Sequence, residues 1–472
     1  MNRIGILVLA CLLQGSLFSE RPFPHDPGTF VAVKASPGPA RPGAKDWLAQ
    51  AAPQLEKLLP HQFPHHNTAA LVTDQLRTAD GKCGDVVAHF HIKTGRLESL
   101  ADNFWGLVYS AQATMTREPT QRSPCWEGFE EVWVPIQEDL QLSARLGWAR
   151  DTAGQVADAD CIVILPGIRG DNNVLRVRDL AIALRNHGFH VLSVESRGAG
   201  LTDTRYPKYE YTWGVFETDD LLRVADWIQG QPHVRRTGLI GYSWGGNQGI
   251  HVAWAEGRTA DGVGVGPRLA KLMSPAPRGP RRYEAGVIAI SPLPRYEELL
   301  DKMEAEQSVL LHPVVAGLQA TIRSRMVARG YPNPSGNVRE LLKNSLTAYP
   351  NAHLDGLEFM RIMPFKDAPT FDRLNGIRVP LLIVHAADDM VAPAQDLADL
   401  LATTANPNVA AILLPGGGHI GISPYAPAWY YSMIMNFFSP TVGPVPVAWQ
   451  AGAPGAGGAT LMKSTNVTNK GQ

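Results

Sequence analysis

Apolar residues follow two patterns along the chain, and the pattern changes near residue 131. Residues 131–135 and 140–146 alternate apolar and polar positions, as do the two strands of an antiparallel hairpin. Beyond them the apolar positions form short unbroken runs, which indicate strands covered on both faces, as in a parallel sheet. These runs are residues 161–165, 191–194, 239–240, 287–290, 381–384 and 409–414.

Helix-like stretches separate most of these runs. One of them follows Thr218, whose side chain can cap a helix, and the acidic Asp219 and Asp220 suit the positive end of a helix. Strands that alternate with helices in this way predict an α/β fold with a doubly wound, mostly parallel sheet.

The alternation lapses over residues 292–378. Helical stretches such as 338–346 predict a helical cap there, between the sixth and seventh strands. Apolar residues in this segment, among them Leu311 and Phe365, lack the strand pattern of a core. They could line an acyl pocket under the cap, or they could complete the hydrophobic core, and the sequence leaves both interpretations open.

The beginning of the chain has the pattern of a secretory signal peptide. An apolar run at residues 4–13 follows Arg3, and it is too short for a membrane-spanning helix, which needs about 20 such residues. We therefore interpret residues 1–19 as a signal peptide and expect a secreted or cell-envelope protein that starts within residues 11–25. A frayed cytosolic N-terminus is the alternative.

Three further segments complete the domain division. Residues 8–11 resemble a bacterial lipobox, so association with a membrane through a lipidated Cys11 is an alternative interpretation. Residues 20–130 form an N-terminal extension, and residues 131–440 form the α/β domain. Residues 441–472 are rich in Gly, Ala and Pro, which predicts a flexible tail.

Composition narrows the classes of function. With 44% hydrophobic and 18% charged residues, the 472-residue chain has the make-up of an ordinary globular protein. The 43 basic and 44 acidic residues give a net charge of −1, which offers no support for a nucleic-acid partner. The sequence does not indicate the oligomeric state.

Cysteine and histidine positions give no clear metal site. The 4 cysteines include no Cys-x-x-Cys pair, although Cys83 and Cys125 could pair in an oxidising compartment. His89 and His91 share one face of a predicted strand and could ligate a metal. They have no carboxylate or Cys partner in register, so we interpret them as solvated strand residues.

Residues 238–247 carry the clearest chemistry. A short apolar strand runs into Gly-x-Ser-x-Gly, with Ser243 at its centre, and then into a helix-like stretch. A strand that turns sharply into a helix brings its flanking backbone together, so only small residues fit at Gly241 and Gly245. The turn lifts the Ser243 hydroxyl clear of the sheet and aims the backbone N–H of Trp244 at a developing oxyanion.

A serine nucleophile needs a base, and the base needs a carboxylate to orient it. Asp388 and Asp389 come shortly after the apolar run 381–384, and His419 comes in a Gly-rich segment after the run 409–414. Both places follow a strand, where an open α/β sheet assembles its site. The sequence therefore predicts a site of Ser243, His419 and one of the two aspartates.

With these motifs, residues 131–440 resemble the α/β-hydrolase family, and the elbow Gly-x-Ser-x-Gly-Gly-Asn resembles that of its YheT-like branch. The resemblance implies that Ser243 is the nucleophile and that His419 is the general base and acid. It also implies that Asp389 is the orienting acid, because the family acid normally lies four residues before a loop proline, here Pro393. Asp388 is the competing candidate.

The resemblance extends to the oxyanion loop, at residues 165–170. Relatives usually have His-Gly there, and in this chain Pro166 replaces the histidine. The backbone N–H of Ile168 is then the second expected oxyanion donor, beside that of Trp244. No metal and no organic cofactor is implied.

We therefore expect a serine hydrolase that cleaves a carboxylic ester, in a small molecule or a lipid, through an acyl-enzyme. A serine aminopeptidase and an acyltransferase use the same residues and stay open as alternatives. A binding protein on a dead hydrolase fold is the non-enzymatic alternative, and the intact set of Ser, Asp and His argues against it. The acyl chain length and head group are not encoded in a readable way.

Overall fold

The computed structural model describes part of the chain. The described residues are 43–58, 71–77, 83–90, 126–257 except 169 and 173, 282–296, 299, 305, 316, 319–320, 322–324, 326–327, 331–345, and 373–439 except 402, 403 and 415. Several predictions concern residues outside this part: the signal peptide, Cys11, His91, Cys125, Leu311, Phe365 and the tail.

A ten-stranded sheet lies at the centre of the described chain. Its strands are β1 (Leu71–Arg77), β2 (Cys83–Phe90), β3 (Phe129–Gln137), β4 (Leu140–Gly147), β5 (Ala159–Leu165), β6 (His190–Val194), β7 (Val234–Tyr242), β8 (Gly286–Ile290), β9 (Leu381–Ala386) and β10 (Val409–Leu414). Their order across the sheet is β1-β2-β10-β9-β8-β7-β5-β6-β4-β3. The neighbours from β2 to β6 pair parallel, whereas β1, β4 and β3 join antiparallel at the two edges.

Helices flank the sheet and connect its strands. They are α1 (Ala44–Glu56), α2 (Leu175–Asn186), α3 (Gly200–Arg205), α4 (Val215–Gln229), α5 (Trp244–Gly257), α6 (Val338–Ser345), α7 (Ala394–Leu401), α8 (Ile422–Tyr425) and α9 (Pro427–Phe438). The predicted fold class, a doubly wound and mostly parallel sheet, is confirmed. The predicted hairpin is β3 and β4.

Strand β5 shows why the central strands read as unbroken apolar runs. Cys161, Val163 and Leu165 belong to the core on one face of the sheet, and Ile162 and Ile164 belong to the core on the other face. All five are essentially inaccessible to solvent. A strand covered on both faces needs apolar side chains at every position, not at alternate ones.

The beginning of α4 differs from the sequence prediction. Thr218 lies inside the helix, where its hydroxyl donates to the Gly214 carbonyl. The helix is capped by Gly214, whose N–H donates to Glu217 Oε2 at 2.8 Å, and its first turn is further held by Thr212, which accepts from the Phe216 N–H. Gly214 adopts a φ of 101°, a conformation that glycine reaches at no steric cost. The sequence prediction missed this start because it placed the cap at Thr218, a residue type that commonly caps helices.

The described part of the N-terminal extension is joined to the same sheet and core. Strand β2 pairs parallel with β10, so β1 and β2 lengthen the sheet beyond the hydrolase segment. Helix α1 packs against α9, where Trp47 Nε1 donates to Asn436 Oδ1 at 3.0 Å and its ring meets Phe437 edge-on.

Helical residues lie between β8 and β9, where the cap is predicted. Val338 and Leu341 of α6 are buried in the same core as the Val287 side chain of the sheet, together with Ile322 and Met326. These four residues of the segment therefore belong to the main hydrophobic core. In the described part of the chain, no helix combines the length and the apolarity needed to cross a membrane.

Candidate active site

Ser243 lies at the sharp turn between β7 and α5. Its φ is 53°, in the left-handed region that residues other than glycine rarely adopt and that often marks a functional site. The backbone around it holds this conformation: the Ser243 N–H donates to the Ile290 carbonyl at the end of β8, and its carbonyl accepts from the Gly246 N–H, each at 2.8 Å.

The two glycines of the motif are required by close backbone contacts. A Cβ atom at Gly241 would lie 2.0 Å from the carbonyl oxygen of Gly245. A Cβ atom at Gly245 would lie 2.4 Å from the carbonyl oxygen of Pro166, in the predicted oxyanion loop. The Gly-x-Ser-x-Gly spacing is therefore a consequence of packing the strand, the helix and this loop together at one point.

The structure brings together the three residues that the sequence singles out. His419 Nε2 lies 2.9 Å from Ser243 Oγ, and His419 Nδ1 lies 2.9 Å from Asp389 Oδ2. The serine comes from the end of β7, the aspartate from the loop after β9 and the histidine from the loop after β10, all at the carboxyl edge of the sheet. Side-chain burial is nearly complete at Asp389 and His419, while 9% of Ser243 is exposed.

Asp389 is held as a carboxylate. Its Oδ1 accepts from the backbone N–H groups of Val391 and Ala392, at 2.8 and 2.9 Å. Burial by itself raises the pKa of a carboxyl, but here the opposing effect of His419, through its charge and its hydrogen bond, is stronger when combined with His385 and the Ala392 N–H. The pKa of Asp389 consequently lies below its ordinary value of 3.8.

Asp388 makes a different contact from Asp389. Its Oδ1 accepts from the N–H of Gly418, at 2.8 Å, so this side chain ties the aspartate loop to the histidine loop. Of these two aspartates, Asp389 therefore contacts the His419 ring, and Asp388 contacts the backbone of the histidine loop.

The predicted oxyanion loop, residues 165–170, lies directly against Ser243. A Cβ atom at Gly167 would be 3.4 Å from the Cβ of Ser243. Trp244 is the first residue of α5, and the first N–H groups of a helix have no acceptor within the helix. The N–H of Trp244 is thus available at the elbow, and Ile168 lies half-buried in the loop beside it.

Glu195 holds the segment that follows residues 165–170, and the sequence analysis missed this residue. This buried carboxyl group accepts from the N–H of Asn172, just after the predicted oxyanion loop, at 3.1 Å and from that of Leu201 at 2.7 Å. Gly200 makes room for it, since a Cβ there would lie 2.4 Å from the carboxyl carbon. Burial raises the pKa of Glu195 to about 7.

The sequence analysis did not identify the contacts of two further supporting residues, Asn247 and His385. The side chain of Asn247 exchanges two hydrogen bonds with the backbone of Leu293, at 2.9 and 2.6 Å, and so fixes the chain that follows β8. His385 Nε2 donates to the Ala392 carbonyl at 2.7 Å and lies 3.8 Å from Asp389 Oδ2. Asn247 was visible as the last residue of the elbow motif, but nothing in the sequence pattern specifies its partner.

Metal ligation has no candidate in the residues that the structure describes. There, no three His, Cys, Asp or Glu side chains are grouped so that they could hold a metal ion. His89 belongs to β2. Cys161 is a free thiol whose pKa is raised by burial.

A doubly wound sheet with a serine at the strand-to-helix turn after a central strand defines an α/β-hydrolase fold. The sequence agrees with this class of protein: residues 162–431, more than half of the chain, match the family described as "Alpha/beta hydrolase family". The chain belongs to the alpha/beta hydrolase family.

Similar solved structures include the following three proteins. The esterase Pf2001 of Pyrococcus furiosus is 17% identical, with a TM-score of 0.41 over 69% of this chain and 100% of that one. The alpha/beta hydrolase GrgF of Penicillium sp. is 15% identical, with a TM-score of 0.41 over 66% and 97%. Est1E of Butyrivibrio proteoclasticus is 13% identical, with a TM-score of 0.37 over 64% and 97%. No curated protein matches the chain in sequence.

Proposed function

We propose that this protein is a serine hydrolase that cleaves a carboxylic ester through an acyl-enzyme on Ser243. The observation that supports the proposal is the continuous contact from Ser243 Oγ through the His419 ring to Asp389 Oδ2, with both separations at 2.9 Å. A nucleophile, a base and an orienting acid in this arrangement are what acyl transfer by serine requires.

The proposed reaction has two halves. His419 Nε2 takes the proton of Ser243 Oγ while the oxygen attacks the ester carbonyl, and the negative charge of the tetrahedral intermediate is stabilised by the N–H groups of Trp244 and Ile168. His419 then gives its proton to the leaving alcohol. In the second half, His419 takes a proton from water, the hydroxide attacks the acyl-enzyme, and the carboxylic acid leaves as Ser243 regains its proton.

Asp389 keeps the neutral ring of His419 in one tautomer. Its ionised Oδ2 accepts the Nδ1–H of the imidazole, which leaves Nε2 as the acceptor that faces Ser243. The same carboxylate stabilises the imidazolium that forms in each half of the reaction. Within the family, the elbow sequence Gly-x-Ser-x-Gly-Gly-Asn favours the YheT-like branch.

Short-chain p-nitrophenyl esters and aminoacyl p-nitroanilides separate an esterase from an aminopeptidase with the same residues. We expect the ester to be hydrolysed with the larger kcat/KM by the purified protein, and we expect a fluorophosphonate probe to abolish that activity. Addition of acceptor alcohols, with the products analysed by mass spectrometry, distinguishes transfer from hydrolysis. A larger kcat/KM on the nitroanilide would replace the esterase proposal with the aminopeptidase one.

Export is a separate part of the proposal and rests on the apolar run behind Arg3. We expect the mature protein to start within residues 11–25 after expression in a bacterial host with an intact secretion pathway. N-terminal sequencing and intact mass measure this start. A chain that begins at Met1 contradicts export, and a mass increase that matches diacylation at Cys11 indicates a membrane-anchored lipoprotein.

A further inference from the structure

Arg176 is a buried cation that the proposed reaction does not use. It lies in the first turn of α2, shortly after the oxyanion loop, and only 5% of it is exposed to solvent. Its Nη1 donates a hydrogen bond of 2.6 Å to the carbonyl oxygen of Ile420. Its guanidinium carbon lies 5.1 Å from the ring centre of Tyr242, within the range of a cation–π contact.

Ile420 and Tyr242 are direct chain neighbours of the proposed catalytic residues. Ile420 follows His419, and Tyr242 precedes Ser243. One guanidinium group therefore contacts the chain on either side of the 2.9 Å contact between His419 Nε2 and Ser243 Oγ. Because the guanidinium group is planar and holds its donors in fixed directions, its contacts restrain the distance between these two segments.

Ile420 needs such a restraint. Its φ is 57°, and a β-branched residue in the left-handed region is a conformational outlier that persists only where its surroundings impose it. Two hydrogen bonds hold the residue in this conformation: its N–H donates to Ser291 Oγ at 3.2 Å, and its carbonyl accepts from Arg176 at 2.6 Å. Without Arg176 the hydrogen bond to the Ile420 carbonyl is lost.

The Tyr242 ring is itself fixed, so it offers Arg176 a firm support. Tyr242 is buried at the end of β7, and its hydroxyl shares a hydrogen bond with the hydroxyl of Tyr430 in α9. A series of contacts thus connects α9 through Tyr242 and Arg176 to the loop that carries His419. Every part of it is buried, where hydrogen bonds are not weakened by competing water.

We infer that Arg176 is a positioning residue, which holds the His419 ring in line with Ser243 by clamping the strained carbonyl of Ile420. The inference rests on the proposed function, because it concerns the geometry of that nucleophile and base. A misplacement of about 1 Å between reacting groups can lower the rate about 10²-fold, so the expected effect lies in the chemical step.

The test compares Arg176→Met with Arg178→Met. Methionine keeps an unbranched side chain about as long as the aliphatic part of arginine and removes the guanidinium group. Arg178 lies on the same helix, is partly exposed and pairs only weakly with its neighbour Asp179 at 3.4 Å, so it controls for the loss of a charge on α2. We expect Arg176→Met to lower kcat on a p-nitrophenyl ester by about 10²-fold with little change in KM, and Arg178→Met to change neither.

Fluorophosphonate labelling provides a readout that does not depend on the substrate pocket. We expect the rate of labelling, normalised to the folded fraction from thermal unfolding, to fall in parallel with kcat. Chemical rescue completes the test. Millimolar guanidinium, far below denaturing concentrations, should restore part of the activity of Arg176→Ala. It should leave the activity of Arg178→Ala unchanged. Arg176→Lys, which keeps a positive charge and hydrogen-bond donors, should retain more activity than Arg176→Met.

The outcomes separate the two claims. Equal kcat and equal labelling rates per folded molecule in the Arg176 and Arg178 variants would overturn the positioning role. A lower stability without any loss of kcat, or a loss that guanidinium does not relieve in a folded Arg176→Ala variant, would assign Arg176 to the fold alone. A wild-type protein that fluorophosphonate does not label at Ser243 would instead refute the proposed function.

Discussion

Replacing Ser243 with alanine should abolish ester hydrolysis and fluorophosphonate labelling while the protein keeps its fold. The substitution removes one oxygen atom, and alanine keeps the Cβ that already occupies this position. The left-handed backbone at φ 53° is held by hydrogen bonds of the Ser243 main chain, which alanine also makes. In a well-studied serine protease, loss of the nucleophile costs about 10⁶ in kcat, and we expect a loss of that order here.

The measurement is kcat/KM on a p-nitrophenyl ester, with circular dichroism and thermal unfolding as checks of the fold. Ser432→Ala is the matched control, because Ser432 is a buried serine of α9 that makes none of the contacts described for the candidate site. It should retain activity and labelling. Labelling of the Ser243→Ala variant at another residue would show that the nucleophile has been assigned to the wrong side chain.

Asp389→Asn should cost far more activity than Asp388→Asn. The two N–H groups of Val391 and Ala392 point at Asp389 Oδ1, so they will keep the oxygen of the introduced amide on their side. The amide NH₂ then faces His419 Nδ1, and it can only donate to that nitrogen. The ring is forced into the tautomer that carries its proton on Nε2, which cannot accept the proton of Ser243.

A substitution of this kind lowers kcat by about 10⁴ in a well-studied serine protease, which sets the scale expected for Asp389→Asn. Asp388→Asn keeps an oxygen that can still accept from the Gly418 N–H, so its cost should be of the order of one weakened hydrogen bond, about 1 kcal/mol or about fivefold in rate. Comparison of kcat/KM for the two variants decides the assignment. If Asp388→Asn is the inactive variant, Asp388 and not Asp389 is the catalytic acid.

The pH dependence of the wild type follows from the same carboxylate. Because the pKa of Asp389 is below 3.8, the group stays ionised at every pH above that value. Its contribution to stability is present above the unfolded pKa of about 3.9 and is lost as the pH falls through the lower folded value. Loss of activity between pH 5 and pH 7 would therefore reflect groups other than Asp389.

Features that depend on local chain geometry could be predicted from the amino-acid sequence. Unbroken apolar runs such as 161–165 specify strands covered on both faces, because every side chain of such a strand meets a core. Gly241 and Gly245 mark the sharp turn at Ser243, because a Cβ at either position would collide with backbone. The same local logic placed Asp389 and His419 after strands, and it predicted that parallel strands would bring them to one edge of the sheet.

The distant groups that support these residues are visible only in the folded chain. Arg176 and Ile420 are 244 residues apart, and their hydrogen bond exists only because α2 and the loop after β10 fold onto the same edge. The pairing of β2 with β10 and the contact of Asp388 with Gly418 arise in the same way. A periodic pattern of apolar residues indicates which side chains are buried and on which face of an element they lie. It does not identify the residues that those side chains contact. Partners across long loops are set by the packing of the whole chain, because only the closed fold brings their atoms within hydrogen-bonding distance.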